Sequence, residues 1–254
     1  MLGAPDADTV AYLNHRKKLR TRTGPESSTQ PRRLRLTPED VARATIVRRI
    51  AGRNLSKADV LFVEIDGRSV AVKDYAPRPF AARQTVGRWL IRRECRAYET
   101  AGAIPGLAPF LGRIGAFALA TAKIDATPLA ELPPGTLDDA TFDRLDGILD
   151  ELHARGVAIS DLHHRDVLLA ADRDVYVVDL AAAYVCGGDA SSWKRSIFER
   201  LCAQDRLAAA RMRARFTGVS EAEALERLDP EAVRRWGKGR RVKAAWDRLR
   251  GKGA

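Results

Sequence analysis

Acidic and histidine side chains crowd into one stretch of the chain, ISDLHHRDVLLAADRDVYVVDL, running from Ile159 to Leu180. Three of the four histidines lie between His153 and His164. Asp161, Asp166 and Asp179 bracket two short apolar runs, VLLA (167–170) and VYVVDL (175–180). If these runs pair as a hairpin, Asp166 and Asp179 meet at its open end, and Asp161 sits on the loop feeding it. Three convergent carboxylates, with no cysteine and no His-x-x-x-His spacing, suit a hard divalent cation such as Mg²⁺ rather than zinc. Mg²⁺ keeps several waters and shares its remaining ligands with substrate oxygens, phosphate above all. A cation able to neutralise such phosphates is available in Lys73, at the end of VAVK, where apolar neighbours fix its direction. A lysine in a half-apolar setting needs a carboxylate partner, and the following helix offers Glu94 and Glu99.

The elements that must position these groups are legible in outline. Thr37-Pro38-Glu39-Asp40 reads as a helix start, with Thr37 as N-cap, and the helix is expected to run to about Ile50. Two alternating runs, Val60 to Ile65 and Ser69 to Tyr75, flank Asp66-Gly67, a strong hairpin signal because a tight turn between twisted strands needs positive φ. YAPRPFAARQ, with Pro77 and Pro79, reads as a loop; a helix follows over 86–101 and Gly102 closes it. AIPGLAPFLG reads as a loop, Phe117 to Ala122 as a strand and IDATPL as a connector. Asp138 to Arg155 places Phe142, Leu145, Ile148, Leu149 and Leu152 on one helical face, with Gly156 just beyond. Amphipathic patterns around 192–204, 205–216, 220–228 and 231–249 suggest four further helices. Strands first and helices after them argue an α+β fold in two lobes rather than alternating βαβ units.

In combination these residues resemble the protein-kinase-like fold, in its compact bacterial and atypical branches: RIO-type kinases, lipopolysaccharide Kdo/heptose kinases and aminoglycoside-phosphotransferase-like enzymes. VAVK resembles the third-strand lysine motif, RRECRAYETAGAIP the helix after it, SDLHHRDVLL the catalytic loop and VVDLA the metal-binding segment. The resemblance covers about residues 50–185. It implies a small antiparallel-sheet N-lobe (37–125) and a reduced helical C-lobe (126–228). It also implies that Lys73 holds the α- and β-phosphates of ATP, with Glu94 rather than Glu99 as its partner. Asp161 would be the catalytic base and Asp179 the principal Mg²⁺ ligand, helped by Asp166. The departures are an aspartate, Asp166, where the family has asparagine, Ala181 where the metal segment usually has glycine, and a glycine-poor phosphate loop, IAGRNLSKADV. In that loop Gly52 and Ser56, or Lys57, would have to meet the phosphates. The implied activity is transfer of the γ-phosphate from ATP to an acceptor hydroxyl on a small molecule, glycan or protein. The alternative is a catalytically weak or inactive kinase-like scaffold that binds RNA, ribosome or anionic membrane through basic arms.

Charge bears on that alternative. Of 254 residues, 44 are Lys or Arg and 33 Asp or Glu, a formal net charge of +11. Residues 1–36 carry +5 and residues 231–254 carry +7, leaving −1 for the centre. The body is therefore near neutral, with a flexible basic arm over 1–36 and a basic helix or arm over 229–254. The longest uncharged stretch, Thr100 to Gly112, has 13 residues, short of the roughly 20 that span a bilayer. MLGAPDADTV does not read as a secretory leader, and three scattered cysteines (Cys95, Cys186, Cys202) are no disulfide framework. A cytoplasmic protein, free or peripheral at the inner membrane face, is expected. His163 and His164 read as loop-packing histidines, and Trp89, Trp193, Trp236 and Trp246 as packing or interface residues.

Overall fold

A computed structural model describes residues 36–228 apart from Ser56 and Arg227. The two basic arms, the helix expected over 231–249, Trp236 and Trp246 lie outside the described residues, and so does Ser56.

The described chain is α+β, with antiparallel sheets and a helical region. Thr37 caps helix α1 (Pro38–Arg43) in a reciprocal capping box with Asp40, as the sequence leads one to expect. The helix ends well before Ile50. Thr45, Ile46 and Val47 are β-branched and prefer a pleated backbone, so 45–50 forms strand β1 (Thr45–Ile50), paired antiparallel with β2 (Asp59–Ile65). β2 and β3 (Arg68–Asp74) make the expected hairpin, in which Asp66 (φ 50°) and Gly67 (φ 71°) both take the left-handed conformation. β4 (Phe110–Ile114) and β5 (Ala118–Ala122) complete a five-stranded sheet in the order β1-β2-β3-β5-β4. β4 falls in the segment read as a loop, whose glycines and prolines mask a short strand that Ala118–Ala122 recruits as a partner.

Helix begins earlier after β3 than expected. α2 (Phe80–Ala82) and a π-turn over Arg83–Gly87 lead directly into α3 (Arg88–Ala101), so only Tyr75–Pro79 remains a loop. Gly87 is what lets the turn lie against Tyr75, since a Cβ there would sit 2.9 Å from the Tyr75 Cβ. The segment IDATPL contributes strand β6 (Ala126–Pro128), which pairs with β8 (Val167–Ala170) and thereby widens the hairpin of β8 and β9 (Val175–Val177) to three strands. α4 (Asp139–Ala154) carries the expected buried face. β7 (Val157–Ala158) pairs with β10 (Tyr184–Val185). The two helices expected over 192–216 are one, α5 (Ser192–Thr217), because no Gly or Pro interrupts it; Gly218 ends it in the left-handed conformation, and α6 (Glu221–Glu226) follows.

The main core joins the inner faces of α3, α4 and α5 to the β8–β9 hairpin, with Tyr98, Phe142, Leu149, Val177 and Phe216 at its centre. A smaller cluster of Tyr75, Ile91, Cys95 and Leu119 fastens α3 to the five-stranded sheet. Helix α3 thus contributes to both clusters. Trp89 and Trp193 are 58% and 63% exposed, so neither packs in a core. No helix among the described residues is long and apolar enough to cross a membrane.

Candidate functional site

Lys73 is the penultimate residue of β3 and lies opposite Val60 and Leu119 in the flanking strands, so its side chain leaves the sheet from a central strand. Its Nζ donates to Glu94 Oε1 at 2.6 Å and to Asp179 Oδ1 at 3.0 Å. Of the two partners the sequence offered, Glu94 is the buried one, on the inner face of α3, whereas Glu99 is exposed. Three residues 21 and 106 positions apart are thereby tied at one ammonium.

Two carboxylates against one cation leave an electrostatic deficit, and the titration of the site reflects it. Burial works against the charge of Lys73, yet Asp179 and Glu94 hold its pKa above that of an ordinary lysine. Asp179 is opposed by burial too, but Lys73 and the Ala181 N–H, which donates to Oδ1 at 2.7 Å, keep its carboxyl below the usual range. Glu94 bears the remainder: burial, countered by Lys73 and reinforced by Asp179, pushes it up to about 7. Asp166 is raised to about 6, by burial first and the charge of Asp179 second. Lys57, in the β1–β2 loop, is close enough to lower Asp179.

The hairpin places Asp166 and Asp179 beside one another as anticipated, with the Val178 N–H donating to the Asp166 carbonyl. Asp161 does not join them. Its side chain is 61% exposed, and its near neighbour is His163, with Nε2 3.2 Å from Oδ1. Among the described residues no group of three or more His, Cys, Asp and Glu side chains gathers closely enough to hold a metal ion. The convergence of three carboxylates is therefore corrected to a pair, Asp166 and Asp179.

The phosphate loop also differs from its expectation. The Gly52 N–H donates to Asp59 Oδ1 at 2.9 Å, and buried Asp59 additionally receives Arg49 and Arg78. A Cβ at position 52 would strike the Lys57 and Ala58 carbonyl oxygens. Glycine is required there by the folding-back of its own loop, and its N–H is engaged within the protein.

Five positioning residues escaped the sequence reading. Asp205 on α5 is fully buried and accepts from the Ile159 and Ser160 N–H groups, both at 2.8 Å, with His153 Nε2 at 3.0 Å. It fixes the backbone immediately before Asp161. Ser160 has φ 62°, an uncommon conformation for a residue with a Cβ. Its Oγ donates to the Ala182 carbonyl at 2.6 Å, and Gln204 Nε2 donates to the Ser160 carbonyl at 2.7 Å. Arg93 donates to the Ala182 and Ala183 carbonyls, and the Tyr98 hydroxyl to the Val178 carbonyl at 3.0 Å, so α3 grips both sides of Asp179. The one available signal was an acid in a buried stripe: Asp205 shares its helical face with Ala209, Met212 and Phe216.

His163 is exposed, while His164 lies partly buried with its ring 6.3 Å from Phe216. Compared with models of known protein families and with curated proteins, the chain matches none.

Proposed function

We propose that the chain is an ATP- and Mg²⁺-dependent phosphotransferase acting on a hydroxyl acceptor, with β1–β5 and α3 forming the small lobe of a two-lobed kinase-like arrangement and α4–α6 the reduced helical lobe. The observation that carries this reading is the junction of Lys73 with Glu94 and Asp179. A strand-end lysine, a buried helix glutamate and an aspartate after a hairpin have no local reason to meet, and their meeting supplies a positioned ammonium beside carboxylates.

The donor set fits Mg²⁺. One or two carboxylates with waters and phosphate oxygens are its usual protein environment, and Asp166 and Asp179 provide that pair. When bound, the ion neutralises charge on the phosphate oxygens. Lys73, held by Glu94, would contact the α- and β-phosphates, and Lys57 would supply positive charge where the phosphate loop has little glycine. Asp161, presented by the loop that Asp205 fixes, would orient the acceptor hydroxyl and accept its proton. The acceptor oxygen forms the new bond to the γ-phosphorus as the bond to the bridging oxygen breaks, and ADP leaves. Positioning and charge stabilisation account for most of such catalysis.

The second reading, a kinase-like scaffold without catalysis, is favoured by one observation: the Gly52 N–H is already bonded to Asp59. Turnover of ATP against a mixed extract of acceptors separates the two. Asp161→Asn and Asp179→Asn are each expected to remove phosphate transfer while leaving the unfolding transition cooperative. Transfer that persists at the wild-type rate in either variant would refute the mechanism.

A further inference from the structure

Among the described residues, nothing covers the outer face of α3. Its inner face is buried through Ile91, Glu94, Cys95 and Tyr98, and the residues it leaves exposed are Trp89, Arg92, Arg96, Glu99 and Thr100. Steps of three and four residues put Trp89, Arg92 and Arg96 in one stripe along the helix. Trp89 is 58% exposed, with the Arg93 guanidinium 5.2 Å from its ring centroid. The same pairing recurs at the start of α5, where Trp193 is 63% exposed and Lys194 Nζ lies 5.8 Å from its ring centroid. The two places adjoin through the segment between them. Arg93 Nε donates to the Ala183 carbonyl at 3.0 Å, and the hydroxyl of the next residue, Tyr184, donates to the Lys194 carbonyl at 3.5 Å.

A partner for this surface must offer apolar contact and negative charge together. The chain's own terminal segments, at +5 and +7, bring charge of the wrong sign. Nucleic acid has the right charge, but it engages indoles by stacking bases on their faces, and a cation already stands over a face of each ring. A bilayer with anionic headgroups offers both, taking indoles at the boundary of headgroup and acyl chain and guanidinium or ammonium groups among the phosphates. We infer that the surface formed by α3 and the start of α5 rests on an anionic lipid bilayer, with Trp89 and Trp193 entering the interface and Arg92 and Arg96 meeting the headgroups. The inference stands apart from the phosphotransferase reading, since it uses none of the residues at the Lys73 junction.

Cosedimentation of the full chain with lipid vesicles tests it. Binding is expected to vesicles of mixed phosphatidylcholine and phosphatidylglycerol, and not to phosphatidylcholine alone. Arg92→Gln/Arg96→Gln should weaken binding by about fivefold per arginine. Arg68→Gln/Arg144→Gln removes the same charge from exposed positions elsewhere and should leave binding within about twofold. Lipid brominated on its acyl chains should quench the tryptophan fluorescence of the bound wild type more than that of bound Trp89→Phe/Trp193→Phe, which keeps an aromatic ring at both positions. Equal loss of binding in the two double arginine variants would show that net charge alone drives association. Equal quenching would show that neither indole enters the bilayer. Pelleting without vesicles would reveal self-association, and binding to polyuridylate but not to vesicles would reveal a nucleic-acid surface. Each of these four outcomes overturns the inference.

Discussion

Asp166→Asn is expected to make the unliganded protein more stable, although it removes a charge from the candidate site. The Asp166 carboxyl is pushed up to about 6 from the ordinary 3.8, by burial and then by Asp179. A carboxyl whose pKa is higher in the folded chain than in the unfolded one favours folding when protonated. Its contribution is complete below about pH 4 and is lost as pH rises through about 6. At 1.36 kcal/mol per pKa unit the ceiling of this loss is about 3 kcal/mol; partial exposure and screening by salt reduce it to about 1–2 kcal/mol. Asparagine keeps the shape and removes the charge. The variant should therefore match the wild type near pH 4 and exceed it by about 1–2 kcal/mol at pH 8, a rise in melting temperature of about 3–6 °C for a chain of this size. Thermal unfolding across pH 4–8 without divalent cation measures the difference, and comparing the two proteins cancels the separate titration of Glu94. Adding Mg²⁺ at pH 8 should narrow the gap, because the ion relieves in the wild type the repulsion that the substitution has already removed. Equal melting temperatures at every pH, or a variant less stable at pH 8, would refute the reasoning.

Two further substitutions probe the loop that carries Asp161. Asp205→Ala leaves the Ile159 and Ser160 N–H groups buried without their acceptor and His153 without its partner, so unfolding in urea should show a loss of about 3–5 kcal/mol; a loss below about 1 kcal/mol would mean the loop does not depend on it. Ser160→Ala keeps the left-handed backbone strain and forfeits the hydroxyl bond to Ala182, at a cost of about 1 kcal/mol, whereas Ser160→Gly forfeits the bond but relieves the strain and should be nearly neutral. The order of the two in a denaturant titration is the test.

What the sequence disclosed were features whose cause is local. The N-cap at Thr37, the Asp66-Gly67 turn and the apolar face of α4 each follow from residues within a few positions of one another, and each is present. β1 was misread because its register is set by β2, nine residues beyond its end, and not by Thr45–Ile50 themselves. β4 and β6 are strands only because β5 and β8 offer them backbone partners. The same division holds at the site. Lys73 and its glutamate were legible because a lysine in a half-apolar setting needs a carboxylate, and the following helix offered Glu94 and Glu99. Asp205 was not, because a buried aspartate is distinguished from a solvated one only by the backbone N–H groups waiting for it 46 and 45 residues away. Asp161 went wrong in the opposite direction: proximity in sequence to Asp166 suggested a shared ion, while the loop between them turns its carboxylate outward to His163.

On the phosphotransferase reading, the electrostatics of the site bear on how a nucleotide would bind. Lys73 pairs with Glu94 and Asp179, Asp166 carries its charge beside Asp179, and Lys57 is the further cation that lowers Asp179. The raised pKa values of Glu94 and Asp166, about 7 and about 6, reflect burial first and then repulsion by Asp179. A triphosphate arriving alone would bring more negative charge to the place where these groups already repel, while a divalent cation would relieve it. Binding of ATP to this site should therefore require Mg²⁺, more strictly than in a phosphate site built from backbone N–H groups, because Gly52 has none to spare. With Mg²⁺ at pH 8, ATP should raise the melting temperature by the amount its affinity dictates; with EDTA in place of Mg²⁺ the shift should vanish. At pH 5.5, where Asp166 and Glu94 are largely protonated, part of the metal-free shift should return. A metal-free shift as large at pH 8 as with Mg²⁺ would show that the nucleotide is held elsewhere, and that the carboxylates around Lys73 serve the fold alone.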